Sequence, residues 1–272
     1  MSGFLEEMSA ASQARLGSAR RLRAESELQR LVAACAPAPP LRLDESGFDL
    51  IAELKLRSPA VGVLRATDEN VPQRVTAYAR GGAAAVSVLT EPTRFDGELE
   101  HLDSASRALL PTRVPAMRKD FLVDPYQVLE ARLAGAGGVL VILRMLSRSQ
   151  IDALLDCARA HGMFVLLEAF DAADIEHMHD LVQDHGAGMR LLAGINCRDL
   201  STLQVVPQRL LELLPLLPRA VPRVAESGVG SEQDVRAVAA AGYQMALVGS
   251  ALMRGADPQG LVAALLAAGR SA

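Results

Sequence analysis

A chain of 272 residues, half of them hydrophobic, can bury one large core, and the nearest standard size is a single α/β barrel of about 250 residues. A net charge of −4 spread along the chain, 3% aromatic residues and no tryptophan argue against an electrostatic grip on nucleic acid or anionic membrane. They also argue against a stacking platform for single strands or an aromatic sugar cleft. No apolar stretch nears the ~20 residues a spanning helix needs, so a small soluble substrate is favoured.

The first forty or so residues read as helix, with Leu16, Leu22, Leu28, Leu31, Val32 and Cys35 as sparse apolar positions, stopped by Pro37, Pro39 and Pro40. Arg15, Arg20, Arg21 and Arg23 suggest a transit peptide, but Glu6, Glu7, Glu25 and Glu27 break its acid-poor character. The segment is expected to be a helical extension, drawn at 1–45, of a single barrel domain spanning 1–272. Cys35, Cys157 and Cys197 are too scattered for a disulfide framework or a Cys-x-x-Cys metal clip, which suits a reduced, cytoplasmic protein.

From Leu50 onward, strand-like runs alternate with helix-like runs. Strands are expected at Leu50–Lys55, Ala84–Leu89, Val114–Lys119, Gly138–Leu143, Met163–Glu168, Leu191–Ile195, Arg223–Glu226 and Met245–Val248. Helices are expected at Val71–Arg80, Leu99–Ala108, Tyr126–Ala134, Ser149–Ala160, Ala172–Gln183, Gln208–Leu214, Glu232–Ala240 and Gln259–Ala268. Gly81, Gly135, Gly162 and Gly242 are read as left-handed helix stops. Alternation with connections this short means a parallel sheet. Eight units and no G-x-G-x-x-G after the first strand favour a closed (β/α)8 TIM barrel over an open doubly wound sheet.

In such a barrel the C-terminal strand ends meet at one mouth, which carries the active site. Residues two apart share a face, so Glu53 and Lys55 point together, as a working pair in the mouth or as an ion pair closing its floor. Met117 and Lys119 share a face while Arg118 and Asp120 take the other; Lys119 is then a mouth ammonium or a solvated loop lysine. Glu168 closes the apolar run Phe164-Val-Leu-Leu, where desolvation disfavours the charged carboxylate and suits a base. Asn196 and Arg198 share a face, offering a neutral donor–acceptor and a fixed cation, unless Arg198 belongs to an ordinary exposed loop.

Glu226-Ser227-Gly228 and Gly249-Ser250 end the seventh and eighth strands, where these barrels commonly hold a phosphate, although glycines at strand ends are also ordinary turn residues. Glu53, Glu168 and Glu226 against Lys55, Lys119 and Arg198 leave little spare positive charge for a dianion. Phosphate is then expected to rest on backbone dipoles, with Ser58 and Ser250 as hydroxyl donors. His177 and His179 lie on opposite sides of a helix and cannot chelate one metal, and no cysteine has a histidine base beside it.

These motifs resemble those of the indole-3-glycerol phosphate synthase family. The resemblance is carried by Ile51-Ala-Glu-Leu-Lys-Leu-Arg-Ser-Pro59, Val86-Ser-Val-Leu-Thr-Glu-Pro92 with Phe95 and Gly97, and Arg118-Lys-Asp-Phe-Leu-Val-Asp-Pro-Tyr-Gln127. It continues in Gly194-Ile-Asn-Cys-Arg-Asp-Leu200, Ala225-Glu-Ser-Gly228 and Leu247-Val-Gly-Ser-Ala-Leu-Met-Arg254, and covers nearly the whole chain, helical extension included. It implies closure of 1-(2-carboxyphenylamino)-1-deoxyribulose 5-phosphate to an indole with loss of CO₂ and water, without cofactor or metal.

By that resemblance Lys119 is the general acid, Glu168 the base, and Lys55 a second acid or carboxylate anchor, with Glu53 and Glu226 positioning the lysines. Asn196 and Arg198 would hold substrate oxygens, and Ser58, Ser227, Gly228, Gly249 and Ser250 the phosphate. Phe95, Phe121, Leu140, Leu200 and Val248 match apolar positions around the anthranilate ring. The implied partner is a small phosphorylated substrate, with no nucleic acid or membrane, and the chain is expected to be a monomer or weak homodimer with no fused second enzyme.

Ala60-Val61 stands where the family usually has serine and lysine, Glu98 where it has serine, and Cys197 where asparagine or serine is common; 179–190 is longer than the usual link. A paralogue acting on a modified anthranilate and a non-catalytic phosphate-binding barrel remain as alternatives. Phosphoribosylanthranilate isomerase, which shares the fold, is disfavoured, since it uses a cysteine after strand one and an aspartate after strand six.

Overall fold

The computed structural model describes residues 3–44, 47–64 and 69–272. The expected end of the extension, residue 45, lies outside them. Helices α1 (Gly3–Leu22) and α2 (Glu25–Ala33) precede the first strand, β1 (Asp49–Leu54), which leads into a short hairpin of β2 (Arg57–Ser58) and β3 (Gly62–Val63). Then follow α3 (Val71–Arg80), β4 (Ala85–Leu89), α4 (Pro92–Phe95), α5 (Leu99–Leu109), β5 (Ala116–Lys119), α6 (Pro125–Leu133) and β6 (Gly138–Ile142). The chain continues through α7 (Arg148–Ala160), β7 (Phe164–Ala169), α8 (Ala172–His185), β8 (Leu191–Asn196) and α9 (Gln208–Leu213). It ends with β9 (Arg223–Glu226), α10 (Glu232–Ala241), β10 (Met245–Val248), α11 (Ser250–Arg254) and α12 (Pro258–Arg270).

The eight longer strands close into one parallel barrel in the order β1-β10-β9-β8-β7-β6-β5-β4. Closure runs through the chain's two ends, with Ile51 opposite Leu247 on one side of β1 and opposite Ala85 on the other. Because both faces of the barrel strands are covered, their apolar runs are continuous rather than alternating, with charged residues at or next to strand ends. In β7, Val165, Leu167 and Ala169 join the layer packed under the helices, while Phe164 and Leu166 fill the barrel. Glu168 therefore points inward with that second set.

Three sequence expectations change. The single N-terminal helix is two, broken at Ala24, whose backbone is extended although no proline or glycine stands there. The Tyr126 hydroxyl lies 3.1 Å from Ala19 O and 3.0 Å from Arg23 O, while α2 packs Leu28 and Val32 against Tyr126 and Leu129. The break is thus a tertiary capture by α6. Gly81 is right-handed (φ −70°), and Gly82 (φ +101°) makes the left-handed turn instead; Gly135, Gly162 and Gly242 have positive φ as expected. Helix α8 runs to His185, two residues beyond its expected end at Gln183.

Candidate active site

A cavity of about 910 Å³ opens at the C-terminal ends of the strands. Every side chain singled out from the sequence lines it except Val248. Val248 is a correction: β10 alternates Met245 and Leu247 into the barrel and Ala246 and Val248 under the helices, so Leu247 is the apolar residue that faces the cavity.

The floor is a chain of polar contacts. Lys119, ending β5, places Nζ 3.0 Å from Glu168 Oε2 and 3.6 Å from Glu226 Oε2. Asn196 Nδ2 donates to the same Glu168 oxygen at 3.2 Å, and Asn196 Oδ1 accepts from Ser227 Oγ at 2.9 Å and from Arg198 N at 3.1 Å. Lys55 Nζ donates to Glu53 Oε1, one residue past the end of β1. The two ammonium groups and the Glu168 carboxylate thus share one chamber.

Electrostatics separate two of the buried carboxyls, Glu53 and Glu226. Burial alone would push Glu53 up, but the Lys55 ammonium, with Lys119 and Arg198, brings it below the ordinary carboxylate range. Burial opposes the charge on Lys119, yet Glu168, Glu226 and Glu53 hold its ammonium above the usual lysine range. Glu226 goes the other way: burial, with Glu168 beside it, raises its carboxyl well above normal, and Lys119 offsets this only partly. Glu226 is 1% exposed, and among the described residues no donor comes within hydrogen-bond distance of either of its oxygens. A proton on Glu226 relieves both problems.

Two glycines make room for these charges. A Cβ on Gly194 of β8 would lie 2.2 Å from Glu226 Oε1, and one on Gly249 the same distance from Glu53 Oε1. Ser227 and Gly228 then turn the chain sharply after β9 with φ of 67° and 71°. For Ser227 that backbone is uncommon, and it aims the hydroxyl at Asn196. Arg198 lines the cavity, but one arm of its guanidinium donates to Leu203 O at 2.6 Å, so its own loop holds it in place.

Above the floor the mouth has two unlike halves. Around β4 to β7 stand Leu89, Phe95, Phe121, Leu140, Ile142 and Phe170, joined by Phe4 and Leu5 from α1. Around β8 to β10 and β1 stand Ser58, Ser227, Gly228, Gly230, Gly249 and Ser250, with Arg254 beside them. Sequence reasoning missed Phe170 and Ile142, although counting by two from Glu168 and Leu140 reaches both. It also missed Arg254, Asp120 and Asp234, which line the cavity as well; Phe4 and Leu5 carried no signal.

The family model for indole-3-glycerol phosphate synthase matches residues 5–265. The chain belongs to the indole-3-glycerol phosphate synthase family. It is 42% identical over 260 residues to the indole-3-glycerol phosphate synthase of Micrococcus luteus, covering 92% of this chain and 91% of that one. It is 39% identical over 251 residues to that of Mycobacterium tuberculosis, covering 90% and 88%. Indole-3-glycerol phosphate synthase 2 of Streptomyces coelicolor is 40% identical over 261 residues, covering 95% and 96%. Among solved structures, thiamine phosphate pyrophosphorylase from Pyrococcus furiosus superposes with a TM-score of 0.58 at 14% identity, covering 83% of this chain and 97% of that one. 3-Hexulose-6-phosphate synthase from Salmonella typhimurium gives 0.58 at 16%, covering 81% and 98%. These two share the barrel alone.

Two departures from the family pattern lie away from the floor. Glu98 precedes α5 on the surface, where its N–H donates to His101 Nδ1 at 3.1 Å. Cys197 is buried under the loop after β9, its thiol donating to Ser227 O at 3.4 Å.

Proposed function

We propose that this chain converts 1-(2-carboxyphenylamino)-1-deoxyribulose 5-phosphate to indole-3-glycerol phosphate, CO₂ and water. The observation that carries the reading is the Lys119–Glu168 contact at 3.0 Å, set between an apolar half-mouth and one of hydroxyls and glycines. A molecule with an aromatic ring at one end and a phosphate at the other lies across that floor with its ketone over Lys119.

In ring closure, the ring carbon bearing the carboxylate attacks the ketone carbon, and Lys119 gives its proton to the ketone oxygen as the C–O π pair moves there. The C–CO₂ bond then breaks and its electron pair flows into the adjacent iminium system, restoring the aromatic ring. In dehydration, the new hydroxyl leaves as water with a proton from Lys55, while Glu168 removes a proton from the CH₂ beside the nitrogen. Asn196 fixes the Glu168 carboxylate through Nδ2 and is itself fixed by Ser227. Glu53 holds the Lys55 side chain in place through its hydrogen bond. Arg198 reaches substrate oxygens, Phe95, Phe121, Leu140 and Leu200 hold the ring, and Ser58, Ser227, Gly228, Gly249 and Ser250 receive the phosphate.

The reading takes the chain as one cytoplasmic domain, monomeric or weakly dimeric, with Cys35, Cys157 and Cys197 as free thiols. No described helix is long and apolar enough to cross a membrane. The deciding experiment is direct assay of the purified protein with the carboxyphenylamino-deoxyribulose phosphate, following indole fluorescence. Saturable appearance of indole with release of CO₂ is expected; none, from folded protein, overturns the proposal.

A further inference from the structure

The walls of the apolar half-mouth are held in two ways. Phe121 sits between Phe4, edge-on at 6.0 Å, and Phe95, tilted at 6.1 Å, so these rings lean on one another. Phe170 is held by charge instead. It follows Glu168 by two residues and so stands on the same face one layer further out, 4% exposed and lining the cavity. Its backbone N–H donates to Asp174 Oδ2 at 2.8 Å. The same carboxylate oxygen accepts from Arg144 Nε at 2.8 Å, and the Arg144 guanidinium lies 4.9 Å from the centre of the Phe170 ring. Arg144 also bonds Asp171, and it is not itself part of the cavity wall.

Arg144 and Asp174 therefore grip Phe170 by ring and backbone. A guanidinium over an aromatic face is attractive and directional, and the buried carboxylate below it is tied to both partners. A ring gripped this way does not swing aside for a larger guest, because close-packed walls resist even one added methylene.

We propose that Phe170 is a specificity-determining residue of the aromatic half, and that Arg144 and Asp174 are its positioning residues. The site takes the unsubstituted carboxyphenyl ring and refuses one bearing an extra methyl on the edge that meets Phe170. This rests on the reading above, in which the apolar half holds that ring.

The test uses the purified full chain and a panel of substrates carrying one methyl at each free ring carbon, with the unsubstituted compound as reference. Wild type is expected to turn over the reference and to discriminate against one isomer by about 10- to 200-fold, the range for one methyl-sized difference in a pocket. Phe170→Leu and Phe170→Ala are expected to cut that ratio by about tenfold at the same isomer. Arg144→Ala shifts the ratio the same way through KM more than kcat, and Arg144→Lys, which keeps the charge without the flat fork, falls between. Equal acceptance of all isomers by wild type, or a parallel loss on every substrate with the ratio unchanged in the variants, would overturn the proposal. If wild type does not turn over the reference, the reading of the site fails instead, and the proposal with it.

Discussion

Lys119 meets two carboxylates at once, and the difference between them decides what each can do. Glu168 is hydrogen-bonded to Lys119 and Asn196, whereas Glu226 meets Lys119 only at 3.6 Å, has no hydrogen-bond donor among the described residues, and is held toward its protonated form. Lys119→Ala is expected to lower kcat by about 10²- to 10⁴-fold, the usual worth of a positioned general acid, while substrate still binds. Unchanged turnover would remove Lys119 from that role. Glu168→Gln should slow dehydration more than ring closure, so single-turnover traces should accumulate a ring-closed intermediate. A raised carboxyl also leaves a sign in stability: between the ordinary glutamate range and its own higher pKa, folded Glu226 binds more proton than the unfolded chain, so its contribution falls as pH rises. Glu226→Gln, which cannot ionise, should therefore gain on the parent in urea midpoints as the pH is raised above the ordinary glutamate range. A constant offset at every pH would contradict it. At this scale the inward residues Glu53, Lys119 and Glu168 were legible because a strand's period of two needs only one reliable neighbour. Val248 was misplaced because in a strand buried on both faces hydrophobicity does not tell inside from outside.

The element that ties the extension to the floor is α1. Arg15 reaches Asp120 at 2.6 Å and Glu91 at 3.4 Å, while Asp120, next to Lys119, also takes Arg118 at 3.1 Å, Thr90 Oγ1 at 2.7 Å and its neighbour's N–H. Ser12 accepts from Gln127 Nε2 at 2.8 Å, adding a contact between α1 and α6. Burial would raise the Asp120 carboxyl, but Arg118, Arg15 and these donors bring it below the ordinary range, so its stabilisation is present above that range and lost as pH falls through the lowered value. Asp120→Asn should cost about 3–5 kcal/mol, as when one partner of a buried pair is removed. Faster amide exchange across Gly3–Leu22 is expected with it; a variant with parental urea midpoint and exchange would show that the contact carries nothing. The helices of the barrel were readable from their alternation with the strands, whereas Asn70, Asp171 and Ser231, which accept from backbone N–H groups at three helix starts, are caps that the sequence reading did not use. The break at Ala24 and the β2–β3 hairpin were not readable, because the first is made by Tyr126 more than a hundred residues away and the second is only two residues per strand.

For the whole molecule, closing eight strands does more than bury a core. It sets a glycine in or just past one strand against a carboxylate of the next, Gly194 of β8 with Glu226 and Gly249 after β10 with Glu53. Gly249→Ala puts its Cβ 2.2 Å from Glu53 Oε1. Overpacking of this kind costs about 1–3 kcal/mol, and here it also displaces the partner of Lys55, so a lower melting temperature and a lower kcat should appear together. Full activity in the alanine variant would mean the carboxylate has another resting place.

Those two pairings also bear on how such a barrel can be recombined. One sits where β8 meets β9, the other at the seam where the last strand returns to the first. A chimera that takes strands from two parents must inherit each glycine and its facing acid from the same parent, or change them as a couple. A single junction anywhere between β1 and β10 splits the second couple, and one between β8 and β9 splits both, so hybrids joined between β8 and β9 should be folded but inactive more often than hybrids joined between β4 and β6.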